Sequence, residues 1–155
     1  MIGRALLYAG GAAGLAALWT LLEFALGWHG ERAEIGRISG FVGLLFPLVL
    51  IPLGVRAEKR AAAGSFGWSR GLRFALIAAA VFAAAGAAFF FAYHSWINPG
   101  FGRLMAEQAS PAQADAVRAA FAPAAQAATA AVSGFVVVLL IGAIATAVLR
   151  RQPQS

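Results

Sequence analysis

Cysteine is absent from all 155 residues, which excludes disulfides, thiolate metal sites, iron–sulfur clusters and cysteine nucleophiles together. Charge is scarce. Only 12% of residues are charged, against roughly 25% in soluble domains, and acids are half as frequent as bases. The residues are 61% hydrophobic and mean hydropathy is +0.78, which is too apolar for a soluble core with a wetted surface. A net charge of +6 would suggest a nucleic-acid partner in a soluble chain. Here the bases sit at the ends of apolar runs and form no stripe, so no nucleic acid is expected. No phosphate loop, nucleotide fingerprint or Ser/His/Asp set occurs. Gly10 to Gly14 is glycine within an apolar run and follows no strand.

What remains is long apolar runs, close to the ~20 residues that cross a bilayer as a helix. Four are expected to span, at about residues 5–28, 38–55, 72–92 and 130–149. The first covers ~36 Å as a helix, and it exceeds the ~7–15-residue core of a cleaved signal, so a retained span is expected. It carries Gly10 and Gly14 in a small-xxx-small pattern that lets helices approach closely. Pro47 and Pro52 fall in the second run and predict a kinked helix. The third ends in Phe89, Phe90, Phe91, Tyr93 and Trp96, as an interfacial aromatic belt would.

The expected architecture is therefore a single all-α integral membrane domain, residues 1–155, with four transmembrane helices in two hairpins. A connector at 56–71 joins the hairpins. A loop at 98–129 precedes the last span and includes a short extramembrane helix. Ser110, Pro111 and Gln113 form a capping-box pattern that predicts where that helix starts.

Orientation follows from counting charges. Arg4, Arg56, Lys59, Arg60, Arg70, Arg73, Arg150 and Arg151 face Glu58 alone on one side, a net +7. Arg32, Arg37, Arg103 and Arg118 balance Glu31, Glu34, Glu107 and Asp115 on the other. The basic side is expected to be cytoplasmic, with both termini inside a bacterial inner membrane. Arg56, Lys59, Arg60, Arg70 and Arg73 are candidates for anionic lipid headgroups, with Trp68 anchored in the interface.

The signatures Ile38-Ser-Gly-Phe41, Leu53-Gly-Val-Arg56, Gly64-Ser-Phe-Gly67 with Gly71, and Tyr93 with Ile97-Asn-Pro-Gly-Phe101 resemble the bacterial domain of unknown function 4199 family, from about Tyr8 to Arg151. The resemblance implies a small four-span inner-membrane protein and brings no catalytic residues with it.

Candidate chemistry is sparse. Glu23 is the one acid inside a run, about one turn from its end. It is expected either to line a proton or substrate path or to pair with Arg37 or a histidine. His29 and His94 end two runs on the same side and, with Glu23 or Glu31, are candidate metal ligands; without motif spacing, no metal or cofactor is expected. Two function classes fit: a non-enzymatic structural or accessory subunit packed against itself or a larger complex, and a small oligomeric transporter or lipid-handling protein using Glu23 and the two histidines.

Overall fold

The computed structural model describes residues 1–30, 32–62, 64 and 66–150, and no strand occurs among them. In order, the elements are α1 (Ile2–Ala25), α2 (Ala33–Ser39), a 3-10 turn (Gly40–Leu44) and α3 (Leu45–Ala61). Next come α4 (Trp68–Ala92), a π-turn (Tyr93–Ile97), α5 (Phe101–Glu107), α6 (Ala114–Ala120) and α7 (Pro123–Leu149). Four stretches are long and apolar enough to cross a membrane: Ile2–Ala25, Ala33–Ala61, Trp68–Ile97 and Pro123–Leu149. In the cyclic order α1, α3, α7, α4, neighbouring helices pack together, and α1 faces α7 across a diagonal. The α1–α3 and α4–α7 hairpins thus pair side by side.

Helix boundaries reach further into the basic connector than hydropathy alone placed them. Arg56, Lys59 and Arg60 ride on the last turns of α3, and Arg70 and Arg73 on the first turns of α4. Alanine, lysine, glutamate and arginine are good helix formers, and the bases near the end of α3 complement its dipole. Gly64, at φ +98°, supplies the left-handed residue that reverses the chain.

Three other expectations shift. Pro47 lies in the first turn of α3. The irregularity precedes it, in the 3-10 turn, because Pro47 cannot donate to the carbonyl of Gly43. Pro52 alone sits inside α3. The helix expected from Ser110 starts later, at Ala114, preceded by α5. The Ser110 hydroxyl contacts the Gln113 side chain at 3.2 Å, and its carbonyl accepts from the N–H groups of Gln113 and Ala114. The result is a turn in place of a capping box. Pro123 opens α7, seven residues ahead of the expected start.

The half of the bundle nearest the connector is close-packed. Ala5, Ala9, Ile51, Val55, Phe74 and Ala78 form its centre. Glycine brings backbones together here: a Cβ on Gly54 would lie 2.7 Å from the Phe74 ring, and one on Gly142 2.6 Å from Ala75. A Cβ on Gly71 would strike the Thr146 side chain. The expected contact at Gly10 and Gly14 is not made among the described residues. Nothing lies within 4 Å of a Cβ at either. The buried face of α1 is instead Ala5, Ala9, Ala12 and Ala13, and one residue's step turns a helix by about 100°, which carries both glycines off that face.

Candidate functional site

At the end of the bundle away from the connector, α1 closes with Gly27 at φ +75°. Trp28 N–H returns to the Glu23 carbonyl at 2.9 Å, and Gly27 N–H to that of Phe24 at 3.0 Å. This is a Schellman motif, and it folds His29 back over the Glu23 side chain. Across the bundle, the π-turn after α4 is sealed by Asn98 N–H on the Tyr93 carbonyl at 2.7 Å. Its extra residue per turn accompanies the burial of Tyr93 and His94 inside the bundle, where they are 2% and 6% exposed.

These two irregular segments meet. Glu23 is 2% exposed. One of its carboxylate oxygens accepts a short hydrogen bond from the Ser39 hydroxyl, and the other lies 3.4 Å from His29 Nε2. His29 Nδ1 is 2.5 Å from the Tyr93 hydroxyl, which also accepts from Asn98 Nδ2 at 3.2 Å. Trp19 Nε1 donates to the Ser39 carbonyl at 3.1 Å, which holds the serine in place. A neutral His29 satisfies the whole chain: Asn98 donates to Tyr93, Tyr93 to Nδ1, and Nε2–H points to Glu23. Burial pushes the imidazole below its ordinary 6.5, against the opposing pull of Glu23, so the neutral form is favoured.

The site thus joins Glu23 to a histidine, one of its two expected partners, and not to Arg37, which is exposed. His29 and His94 enter one cluster. Each packs on Tyr93 and Phe101, with ring centroids 5.1–5.8 Å apart. Yet both nitrogens of His29 are engaged, and His94 is walled by Phe90, Phe101 and Phe121. Among the described residues, no group of three or more metal-ligating side chains converges. The Glu31 candidate lies outside the described residues. The arrangement is also unsuited to nucleophilic chemistry. Glu23 sits between Ser39 and His29, whereas activating a serine needs the imidazole between hydroxyl and carboxylate.

The connector end holds a second buried carboxylate, which entered the sequence reading only as a charge count. Glu58 is fully buried and receives Arg4 Nε at 2.7 Å and Arg70 Nε at 2.8 Å, with the N-terminal ammonium at 3.8 Å. Lys59 Nζ donates to the Leu149 carbonyl at 2.7 Å, capping α7, and the Arg150 guanidinium lies 5.2 Å from the Trp68 ring centroid. Of the five expected headgroup residues, Lys59 and Arg70 are therefore engaged internally, while Arg56, Arg60 and Arg73 remain exposed. Arg151, counted with them for orientation, lies outside the described residues. No local pattern marks this acid, because its partners are 54 and 12 residues away.

Between the two ends, in the half away from the connector, all four helices line a cavity of about 220 Å³. Its walls are small and aromatic side chains: Ala16, Gly43, Phe82, Gly86 and Ala130, among others. The Ser133 hydroxyl at its edge is already donated to the Thr129 carbonyl at 2.6 Å.

This is an all-helical protein with four helices compatible with a membrane and a polar, ring-walled cluster at one end. It belongs to the family described as "Protein of unknown function (DUF4199)", which it matches over residues 7–151. No curated protein and no solved structure matches it.

Proposed function

We propose that the protein is a non-enzymatic four-span protein of the bacterial cytoplasmic membrane, with both termini cytoplasmic, acting as a structural or accessory subunit. The observation that carries this reading is how the two buried carboxylates are used. Glu58 fastens the starts of α1 and α4 to the end of α3, and Glu23 fastens the end of α1 to Ser39 and His29. Each is held by more than one partner, and the connector half between them is close-packed. A transporter reading draws on the buried Glu23–His29–Tyr93 chain, but the cavity on its connector side ends at the close-packed core.

The remaining small-residue face, Gly10 and Gly14, is open within the chain, as a subunit contact would require. Gly14→Leu tests this. Leucine there meets nothing inside the chain, so folding should persist while the size of the assembly extracted in mild detergent falls. A wild-type protein already of single-chain size, unchanged by Gly14→Leu, would contradict the reading.

A further inference from the structure

We infer that the cavity in the half away from the connector is a binding site for one acyl chain of a membrane phospholipid, whose phosphate is held by Arg37. The inference rests on the membrane reading above but not on the accessory role.

The apolar lining disfavours water as the natural occupant. The space is about 220 Å³, far above the ~10–15 Å³ that admits one water, and a water needs two to four polar partners. Ser133 offers only its acceptor lone pairs, because its proton is already donated within α7, and every other side chain of the lining is apolar. Apolar cavities of this kind stay dry and accept hydrocarbon.

Access is lateral. The Gly40–Leu44 turn packs on α1 and α3 but scarcely touches α7, and Gly40 and Ser133, both exposed, flank this gap. A gap at that level, between two membrane-spanning helices, opens onto lipid tails. The other end is stopped by Phe89 and Phe90, which pack on Tyr93 and His94. Toward the connector the close-packed core closes it. The site is therefore blind and sized for part of one chain.

Charge selects the kind of lipid. Gly40, Gly43, Leu44 and Pro47 line the cavity at helical spacing. One turn back along that stripe, residues three apart share a face, which places Arg37 just beyond the mouth. Arg37 is exposed and has no ion-pair partner among the described residues. A guanidinium there meets a lipid phosphate as a forked donor. The nearest acid of α2, Glu34, lies one turn further out.

The test uses the full chain in vesicles of phosphatidylethanolamine and phosphatidylglycerol doped with a phosphatidylglycerol bearing a photoreactive diazirine on one acyl chain. Adducts are mapped by peptide mass spectrometry. Labelling at Phe82, Gly86 and Ala130 is expected alongside background at Leu18 and Val132, which are 63% and 67% exposed. Gly43→Leu, whose side chain enters open space, should lower the cavity adducts about tenfold and leave the background unchanged. Arg37→Gln should lower them about fivefold. Background labelling alone in the wild type would overturn the site without needing any variant. Cavity adducts indifferent to Arg37→Gln would overturn the phosphate contact. No adducts anywhere would mean that the membrane reading itself fails, and the site with it.

Discussion

Arg4 Nε lies 2.7 Å from a carboxylate oxygen of Glu58, on a residue with no solvent exposure and 54 positions along the chain. Through the opposite oxygen, Arg70 joins the same carboxylate. Three helices therefore share one buried charge at the connector end. Removing it leaves two guanidinium groups without their acceptor, although each arginine side chain is about a third exposed and regains some water. Glu58→Ala should destabilise by about 2 kcal/mol, less than the 3–5 typical of fully buried pairs. Thermal unfolding in detergent checks this. A shift no larger than that of exposed Glu107→Ala would contradict it.

Glycine positions should separate sharply by location. Gly71→Ala drives a Cβ into the Thr146 side chain and should cost about 1–3 kcal/mol as an overpacked contact. Gly10→Ala meets no described residue of its own chain and, in dissociated single chains, should be neutral or stabilising by about 0.5 kcal/mol through helix propensity. Melting temperatures of the two variants, measured side by side, decide it.

That contrast shows what the sequence made legible. The four apolar runs, the prolines and the aromatic end of the third run read out the helices and their order, because hydropathy and helix length are local properties. Which face of α1 packs was not legible, since Gly10/Gly14 and Ala9/Ala13 carry the same small-residue spacing and only the neighbouring helices choose between them. Glu23 with a histidine was within reach, because Gly27 stands at the end of the apolar run, where a Schellman turn would return the chain. The aromatic pattern places Tyr93 in an interfacial belt. Nothing in the local pattern announces the π-turn that accompanies its place beside His29. Glu58 was invisible for the same reason, as its partners are set by tertiary packing alone.

His29 gives the fold a pH dependence of known sign. Its imidazole is held below 6.5 by burial, with Glu23 on α1 pulling upward and Tyr93 and His94 facing it from the π-turn. The unfolded chain takes up the proton first as pH falls. The contribution to stability is therefore complete above pH 6.5 and is lost as pH drops from there through the folded value. Melting temperature should fall over that interval, and His29→Gln should flatten the slope. An equal slope in His29→Gln would place the titration elsewhere.

Orientation is tested with single cysteines in a chain that has none of its own. Gly67→Cys and Ser110→Cys sit at exposed positions on opposite ends of the bundle, and an impermeant thiol reagent should label them from opposite faces of the membrane. Ser110→Cys is expected to react from outside in intact cells. Labelling of both from one side would end the four-span arrangement.

The accessory role is tested most sharply by Glu23→Gln. If Glu23 serves only to fasten α1, an amide can replace it. Its oxygen accepts from Ser39, its NH₂ donates to His29 Nε2, and the imidazole changes tautomer to donate to Tyr93, with Asn98 turning its oxygen to accept the phenol. Glu23→Leu offers no acceptor and should destabilise by about 1–3 kcal/mol. The account predicts that Glu23→Gln keeps the wild-type melting profile within about 1 kcal/mol, together with assembly size and growth. A Glu23→Gln protein that folds and assembles normally yet loses a growth phenotype or a measured flux would contradict the accessory role and make the ionised carboxylate part of a transport path.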